Sequence, residues 1–570
     1  MKKIKYALIA TLAASTLATS CMNLDEIPYS EILQETFTPS DQDVAAYLAS
    51  AYTELAYFFD WQGLFDALEE PADVVITPVR PNGWDDGGTY QRMHKHTWTE
   101  EEWQPWNTYE TCFSGINNCN RVKDQIESGS LDAGDQNALM LDELRAVRAL
   151  WYSILLDTHG NVPIVTAFTD EVPTQATRSE LYDFVVKELT EVLANGNLTK
   201  EKSGSTYTRL NYWSTEMILM RVYLNAEVYT GKAAYDKALA CAEDIIANSP
   251  YSLSADFSDN FKVDLNASNT EVMFAIPYDG YAHTTGGHVF SQCRKWYPPV
   301  SKNYFGWAFQ CWGGSCCNPQ FYDSYQEGDA RKDKTWMHGP AVASDGTIVW
   351  TNMNYLPSLT SKADSGADAG KSMTSIDFGL RQQKFEPDIS DQYYFTNDFP
   401  YFRLAEAYYT AAECILRGQS SSKGYNAVDL VNAVRTRVAP ATDEATLRGN
   451  TKMSYGLVPW GGLTYAMWTE HDATHDWASV MEQLESSQKP VQSGFDAVAV
   501  NLGGMYDEWG WEFALEGHRR QDMIRFGTYS TKNWFNHEAV PDGHTKLFPI
   551  PLEVLRTNEN LSQNPGYTGI

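Results

Sequence analysis

Apolar residues that recur at spacings of three and four constrain the fold of this chain more than any other feature, because such spacing requires helices with one buried face. The pattern is clear in segment 179–196, where Ser179 is a candidate N-cap and Gly196 a candidate stop. Its apolar positions are Leu181, Phe184, Val185, Leu189, Val192 and Leu193. This segment is predicted to be a helix with one face in the core.

Two further helical segments follow as a pair. Apolar spacing of the same kind runs through 217–228 and 235–246, and the turn Tyr229-Thr230-Gly231 separates them. Alanines in the second segment allow neighbouring helices to approach closely. This arrangement is typical of degenerate tetratricopeptide (TPR) hairpins. We therefore predict a mostly α fold in which TPR-like hairpins, mainly within 39–255, support a loop-rich and aromatic-rich region that binds a ligand.

Helical spacing is lost between about 256 and 400, where glycine, proline, asparagine and aromatic residues become frequent. We interpret 256–400 as the loop-rich binding region. The helical pattern returns at 403–417 and 427–438, within a C-terminal part that covers 401–570. That part contains a second irregular insertion at about 440–494.

The N terminus has the pattern of an export signal that ends at Cys21. Three lysines precede an apolar run of roughly 12 residues, which is shorter than the roughly 20 that a membrane-spanning helix needs. The prediction is a lipoprotein signal peptide at 1–20, a lipid on Cys21 and a polar tether over 21–38. The alternative is an ordinary secretory signal in which Cys21 has no special role.

The charge of the chain narrows the classes of ligand. Its 570 residues carry a formal net charge of −31, which repels nucleic acid and anionic lipid. Neutral small molecules, sugars and protein partners are therefore favoured.

A hydrophobic fraction of 43% is ample for a large core. Nine cysteines are too few for a disulfide scaffold in a chain of this length.

Four motifs in the C-terminal part make the interpretation specific. In chain order they are Tyr401–Tyr408 (YFRLAEAY), Asn432–Arg437 (NAVRTR), Trp511–Asp522 (WEFALEGHRRQD) and Gln563–Tyr567 (QNPGY). Together they resemble the SusD/RagB family, the glycan-binding outer-membrane lipoproteins of starch-utilisation-like systems in Bacteroidetes. The resemblance extends over nearly the whole mature chain, so we expect one SusD-like domain over 39–570.

The resemblance implies a function without catalysis. A protein of this kind captures an oligosaccharide or polysaccharide at the cell surface and delivers it to a SusC-like TonB-dependent transporter. It implies an outer-membrane location, with the lipid on Cys21 as the anchor, and no cofactor, although a structural calcium ion is left open. The acidic chain favours a neutral glycan, whose identity stays open.

Charged residues of the third motif are interpreted as structural. Glu516 and Arg520 are four positions apart, and Asp522 and Arg525 are three apart. These spacings place each pair on one helix face, where an ion pair can lock helices or loops together. We predict a structural role for all four residues and a catalytic role for none.

A glycan site needs exposed aromatic faces for the C–H patches of sugar rings, beside polar groups for the hydroxyls. One candidate loop contains Trp84, Asp85 and Tyr90 in a glycine-rich stretch that offers Trp84 no helix or strand face. Trp84 is the predicted stacking residue. The alternative is that Trp84 packs under a neighbouring loop.

A second candidate loop runs from Cys293 to Cys317, and most of its aromatic residues are expected to pack inside. The residues favoured as ligand contacts are Trp296, Tyr297 and Trp312, with Arg381 and Tyr394 added for hydroxyl recognition. Adjacent Cys316 and Cys317 are compatible with a vicinal disulfide that presents a flat apolar face, or with two thiols or longer-range bridges.

Two other classes of function are the alternatives to glycan capture, an enzyme and a protein-binding scaffold. A glycoside hydrolase needs two carboxylates set across a cleft, and an acidic surface supplies such pairs by chance. His471 and His475 are four apart and can present a metal-binding face, although nearby glycine and tryptophan favour a loop, so no metal is predicted. A TPR-type protein-binding scaffold of an outer-membrane complex is the main alternative.

Overall fold

A computed structural model of the protein describes residues 41–60, 62–78, 84–278, 292–337, 341–342, 348–350, 379–389, 395–455 and 498–569. The predicted signal peptide, Cys21 and the tether lie outside these described residues. The same is true of Tyr394, His471 and His475.

Helices dominate the described chain up to residue 248. They are α1 (Asp41–Tyr52), α2 (Leu64–Glu69), α3 (Thr89–Lys95), α4 (Trp103–Glu127), α5 (Asn137–Thr158), α6 (Arg178–Asn195), α7 (Gly204–Tyr207), α8 (Tyr212–Leu224), α9 (Ala226–Thr230) and α10 (Tyr235–Asn248). In this array α4 packs on α5, α5 on α6, α6 on α8 and α8 on α10. Each long helix therefore buries its apolar face against its neighbours, as the TPR-like prediction requires.

Short helices follow, and longer ones return near residue 404. They are α11 (Gln292–Trp296), α12 (Ser301–Phe305), α13 (Pro319–Ser324), α14 (Arg331–Thr335), α15 (Leu404–Leu416), α16 (Ala427–Arg435), α17 (Glu444–Leu447), α18 (Gly503–Phe513), α19 (Arg519–Phe526) and α20 (Leu552–Thr557). Helix α15 packs on both α10 and α16, so it extends the N-terminal array. The mostly α prediction is confirmed. Of the described helices, none has the length and apolar character that spanning a membrane requires.

The predicted helix at 179–196 is confirmed as α6, but its N-cap is Thr177 rather than Ser179. The Thr177 side chain accepts a hydrogen bond from the backbone N–H of Glu180, and the Glu180 carboxylate accepts one from the backbone N–H of Thr177. This capping box satisfies two N–H groups that a helix start leaves unpaired. Gly196 ends the helix as predicted, with φ of +73°.

Strands are short and pair in twos within the described part of the chain. They are β1 (Val75–Ile76), β2 (Val272–Ile276), β3 (Cys316–Cys317), β4 (Trp336–Met337), β5 (Ala341–Val342), β6 (Ile348–Trp350), β7 (Arg381–Gln382) and β8 (Phe399–Arg403). The antiparallel pairs are β1 with β3, β2 with β8, β4 with β7 and β5 with β6. Pairing of β1 with β3 places Val75 opposite Cys317 and so brings two distant loops together.

A network of buried ion pairs joins the C-terminal helices to β2 and β8. The Arg403 guanidinium lies 2.7 Å from a carboxylate oxygen of Glu271, 3.0 Å from one of Glu512 and 2.7 Å from one of Glu516. The side chains of Arg403, Glu271 and Glu512 have no exposed surface, and Glu516 is 2% exposed. These contacts support the structural role predicted for Glu516.

The predicted pairing of Glu516 with Arg520 is wrong, because α18 ends at Phe513 and α19 begins only at Arg519. Glu516 instead binds Arg403 and Lys384, whereas Arg520 binds Asp157 at 2.7 Å. The pairing of Asp522 with Arg525, both within α19, is confirmed at 2.7 Å. Arg525 also reaches Glu413 of α15 at 2.9 Å.

Candidate functional site

The two predicted aromatic loops meet at one place because β1 leads into the first loop and β3 ends the second. The ring of Trp84 lies 6.0 Å from the ring of Trp312, with the planes inclined by 38°. On its other side Trp84 makes an edge contact with Tyr90, at a centroid distance of 5.6 Å. The Trp84 indole N–H donates to a carboxylate oxygen of Asp86.

Exposure distinguishes the members of this cluster. Trp84 is 7% exposed, whereas Trp312 is half-buried and Asp85 is exposed. Trp312 therefore holds more of its ring toward solvent than Trp84 does. The expectation that Trp84 is the exposed stacking residue is wrong, and Trp84 packs under the neighbouring loop. We call Trp84, Asp85, Asp86 and Trp312 the aromatic platform.

Four other predicted contact residues lie inside the protein. Tyr90, Tyr297 and Arg381 have no exposed surface, and Trp296 is 2% exposed. A side chain without exposed surface cannot contact a ligand in this structure, so the assignment of these four to direct contact is corrected. Trp296 packs against Trp336, at a centroid distance of 6.0 Å. Of the predicted aromatic contacts that the structure describes, Trp312 is the one that keeps substantial exposure.

The buried residues hold the second loop in place. Arg381 donates from its guanidinium to the carbonyl oxygens of Trp296 (3.1 Å) and Ser315 (2.6 Å). The Tyr297 hydroxyl donates to the Gln382 carbonyl at 2.9 Å. The backbone N–H of Trp312 donates to the Arg294 carbonyl of α11 at 2.7 Å. These bonds fix the position of the Trp312 backbone.

A buried ion cluster forms the floor of the aromatic platform. The Lys295 ammonium lies 2.5 Å from Asp66 and 2.8 Å from Glu70, and the three side chains are at most 1% exposed. The same ammonium lies 4.3 Å from the centroid of the Tyr90 ring, and the Tyr90 hydroxyl donates to Asp66. The Lys295 ammonium and the Tyr90 ring therefore connect α2, α3 and α11 directly beneath Trp84.

Burial and the neighbouring charges shift the pKa values of the ionisable groups in this floor in opposite directions. Burial raises the pKa of Glu70, although Lys295 opposes that shift. Burial alone would lower the pKa of Lys295, but the carboxylates of Asp66 and Glu70 hold it above its usual value. At neutral pH the lysine is therefore charged. Burial also raises the pKa of Asp86, against the hydrogen bonds that Asp86 accepts from Trp84 and Gly88.

Sequence reasoning missed this floor, because Lys295 had no pattern that separated it from a surface lysine. Arg294, its neighbour, was missed as well, although its guanidinium lies 4.6 Å from the centroid of the Phe309 ring. Cys316 and Cys317 are buried in β3 and are not joined by a disulfide, so the vicinal disulfide is not formed. In the described residues no group of three or more histidine, cysteine or carboxylate side chains is placed to hold a metal ion.

The close approach of the two loops depends on Gly314. A Cβ atom added at Gly314 falls 2.8 Å from the Trp84 ring. We expect Gly314→Ala to lower the free energy of unfolding by about 1–3 kcal/mol, because the two loops must move apart. Urea unfolding followed by circular dichroism measures the change.

Gly204→Ala is the matched control for this prediction, since a Cβ atom there meets nothing within 4 Å. If Gly314→Ala is as stable as Gly204→Ala, the loops are not packed as closely as described.

The arrangement has the chemistry of a sugar-binding surface. Trp312 presents part of a large aromatic ring, and the exposed carboxylate of Asp85, the residue after Trp84, can accept hydrogen bonds from hydroxyl groups. Asp86 is held in place by the Trp84 indole and by the backbone N–H of Gly88 at 2.7 Å. A flat ring with adjacent acceptors suits a ligand that has both C–H faces and hydroxyl groups.

Comparison with known proteins supports this interpretation of the fold. A profile of the SusD family matches residues 270–567. The starch-binding protein SusD of Bacteroides thetaiotaomicron is 24% identical over 545 residues, which covers 88% of this chain and 85% of that relative. A SusD-like protein of Formosa agariphila is 22% identical over 581 residues, which covers 95% and 96%.

Solved structures of the same fold cover nearly the whole chain. A laminarin-binding SusD-like protein superposes with a TM-score of 0.65 and 20% identity, covering 93% of this chain and all of the other. Surface glycan-binding protein A from Bacteroides thetaiotaomicron, solved in complex with laminarihexaose, gives a TM-score of 0.64 at 19% identity, covering 92% and 100%. At these identities the likeness concerns the fold.

Proposed function

Since this chain belongs to the SusD family, we propose that it binds an oligosaccharide or polysaccharide at the aromatic platform and delivers it to a partner transporter. SusD-like proteins bind carbohydrate and are not catalytic. The observation that carries the proposal is the half-buried Trp312 held over Trp84 beside the exposed Asp85. This pairing of an aromatic face with carboxylate acceptors is the minimum that sugar recognition needs.

The ligand proposed for the platform is a neutral glycan. The platform includes the carboxylates of Asp85 and Asp86, and the chain as a whole carries a net charge of −31. Both charges repel uronic or sulfated sugars, whereas neutral hydroxyl groups donate to the carboxylates. Two of the proteins named above bind starch and laminarin, which are both polysaccharides. Those names support the class of ligand and leave the individual glycan to experiment.

The proposed setting is the surface of the outer membrane. A lipid on Cys21 would anchor the chain, and the tether over 21–38 would connect the anchor to α1. A SusC-like TonB-dependent transporter is the proposed recipient of the glycan. The array of α4, α5, α6, α8 and α10 supplies a large rigid surface that suits a protein partner.

Calorimetric titration tests the function directly. The protein, produced from Met22 onward, is titrated with a panel of neutral and acidic polysaccharides while released reducing sugar is assayed. Saturable binding to a neutral glycan without release of sugar is the expected result. Binding with hydrolysis would indicate an enzyme, and the absence of binding to every polysaccharide in the panel would favour a protein-binding scaffold.

Trp312→Ala is expected to weaken binding of that glycan by about 2 kcal/mol, roughly thirtyfold, because the exposed aromatic face is lost. The same calorimetric titration measures this change.

Phe168→Ala, at a phenylalanine that is 61% exposed elsewhere on the surface, serves as the control and should bind like the wild type. A Trp312→Ala variant that keeps wild-type affinity would show that the platform is not the glycan site.

A further inference from the structure

A polar cleft of about 450 Å³ adjoins the aromatic platform through Gln62. Its wall includes Glu54, Asp60 and Gln62 on one side and Asn107 and Glu110 of α4 on the other. This volume falls in the range of roughly 300–1,000 Å³ that is usual for sites of small molecules. The platform described above does not include any of these residues.

Gln62 joins the cleft to the floor of the platform. Its backbone N–H donates to Asp66 at 2.6 Å and lies 3.1 Å from the Tyr90 hydroxyl. Its carbonyl accepts a hydrogen bond from the side-chain amide of Asn107 at 3.0 Å. Tyr90 is in turn in contact with Trp84. Gln62 and Trp84 therefore both pack on the buried Tyr90, which places the cleft close to the platform.

Two tryptophan side chains lie next to the cleft on α4, where Trp106 contacts the lining residue Glu110. Trp103, Trp106 and Glu110 are three and four positions apart and lie on one face of the helix. Trp103 is 48% exposed, and Trp106 is half-buried with its indole N–H donating to Glu110 at 2.9 Å. The hydrogen bond orients the Trp106 ring next to the carboxylates of the cleft. Two tryptophans on one exposed face form an apolar patch of the kind that marks a binding surface.

The polar groups of the cleft include a donor without a partner. The Nε2 atom of the Gln62 side chain is enclosed and makes no hydrogen bond within the described structure. An enclosed amide in this state destabilises the protein unless a ligand or water accepts its hydrogen bond. Gln62 also has a φ of +64°, which is unusual for a residue with a side chain. Gln62 therefore contributes an unpaired amide and an unusual backbone conformation to the wall of the cleft.

Charge restricts the ligand of the cleft. Glu54, Asp60 and Glu110 contribute carboxylates, and among the described residues that line the cleft there is no lysine or arginine. An anionic sugar would meet only repulsion there. A neutral sugar offers hydroxyl donors to the carboxylates and a C–H face to Trp106.

We propose that this cleft, with Trp103 and Trp106, is a second carbohydrate subsite that holds a neutral unit of the same glycan. The inference rests on the proposed function, because it takes the platform as the first site. Since Gln62 of the cleft and Trp84 of the platform both contact Tyr90, the two sites lie close together and a sufficiently long chain contacts both. The second contact then raises the affinity for long chains and leaves the affinity for short ones unchanged.

The test uses oligosaccharides of increasing length from the glycan that the calorimetric panel identifies. Trp106→Ala and Glu110→Gln are each titrated with a short and a long oligosaccharide, beside Trp312→Ala and the control Phe168→Ala. We expect Trp106→Ala to bind the long chain about tenfold more weakly than the wild type and the short chain equally well. Glu110→Gln, which keeps the shape of the side chain, should show a smaller loss of the same kind. Trp312→Ala should weaken binding of both chains.

Each other outcome has a definite meaning. Wild-type affinity of Trp106→Ala and Glu110→Gln at every length, with Trp312→Ala impaired, would overturn the second subsite and leave the proposed function intact. An equal loss at both lengths would also overturn the subsite, because it would indicate damage to the platform itself. If the wild type binds no glycan at all, both proposals fail.

Discussion

Replacing Arg403 with methionine is expected to lower the free energy of unfolding by about 3–5 kcal/mol. The substitution removes the cation that Glu271, Glu512 and Glu516 share, all of them at most 2% exposed. Arg437 still reaches Glu512 at 2.6 Å, and Lys384 still reaches Glu516 at 2.6 Å. Arg331 also reaches Glu512, at 3.4 Å, but it is shared with Asp329 and Glu508. The remaining cations cannot compensate fully, because none of them contacts all three carboxylates as Arg403 does.

Urea unfolding at pH 7 measures this effect. Glu512 is ionised at that pH, because the cations of Arg437, Arg403 and Arg331 overcome its burial and hold its pKa at about 2. Arg556→Met is the control, since Arg556 is 57% exposed and pairs at 3.5 Å with Glu553, which is 65% exposed. An exposed pair contributes only about 0–1 kcal/mol. Equal stability losses in the two variants would contradict the structural role of the buried network.

Replacing Lys295 with methionine is expected to destabilise the protein by about 3–5 kcal/mol at pH 8 and to abolish glycan binding at the platform. The substitution leaves Asp66 and Glu70 buried without their cation and loosens the contact between α2 and α11. Tyr90 loses the ammonium beneath its ring, and Trp84 packs directly on Tyr90. We therefore expect the loss of this ion cluster to disturb the position of Trp312 as well.

The stability defect of Lys295→Met should depend on pH. Burial already raises the pKa of Glu70, and removal of the lysine takes away the attraction that opposes this shift. A carboxyl whose folded pKa exceeds its unfolded pKa favours the fold below the unfolded value and loses that contribution as the pH rises through the folded value. The defect should be smaller at pH 5 than at pH 8.

Lys262→Met is the matched control for this variant. Lys262 is 48% exposed and pairs with Asp259 at 2.6 Å, so its loss should change neither stability nor glycan binding appreciably. Unfolding curves at both pH values and one glycan titration suffice. A Lys295→Met protein with a pH-independent defect, or with intact binding, would show that the ion cluster does not support the platform.

Helices were predictable from the chain because their signals are local. The segment 179–196 became α6 and the segment 403–417 became α15, since apolar spacing and helix stops lie within each segment. Strand β8 was missed because its five residues run directly into α15 and its partner β2 lies far away in the sequence. A two-stranded pairing of this kind has no local signature.

The candidate site was predictable only as a region. Loop composition predicted a site in the segments around Trp84 and Trp312, which the pairing of β1 with β3 places side by side. Composition could not tell which aromatic ring stays exposed, because exposure depends on what packs above each ring. The close approach of Gly314 covers Trp84, and the adjacent Trp312 keeps its exposure.

By itself, the sequence determined the helical class, the family through its ordered motifs and the acidic character that favours a neutral ligand. These properties follow from local spacing, residue identity and summed charge. Tertiary structure alone decided that Trp312 is the ring at the surface, that Lys295 lies beneath Trp84 and Arg381 holds the second loop, and that Glu516 binds Arg403 rather than Arg520. Such pairings join residues that are tens to hundreds of positions apart, and only the packing of the chain brings them within a few ångströms.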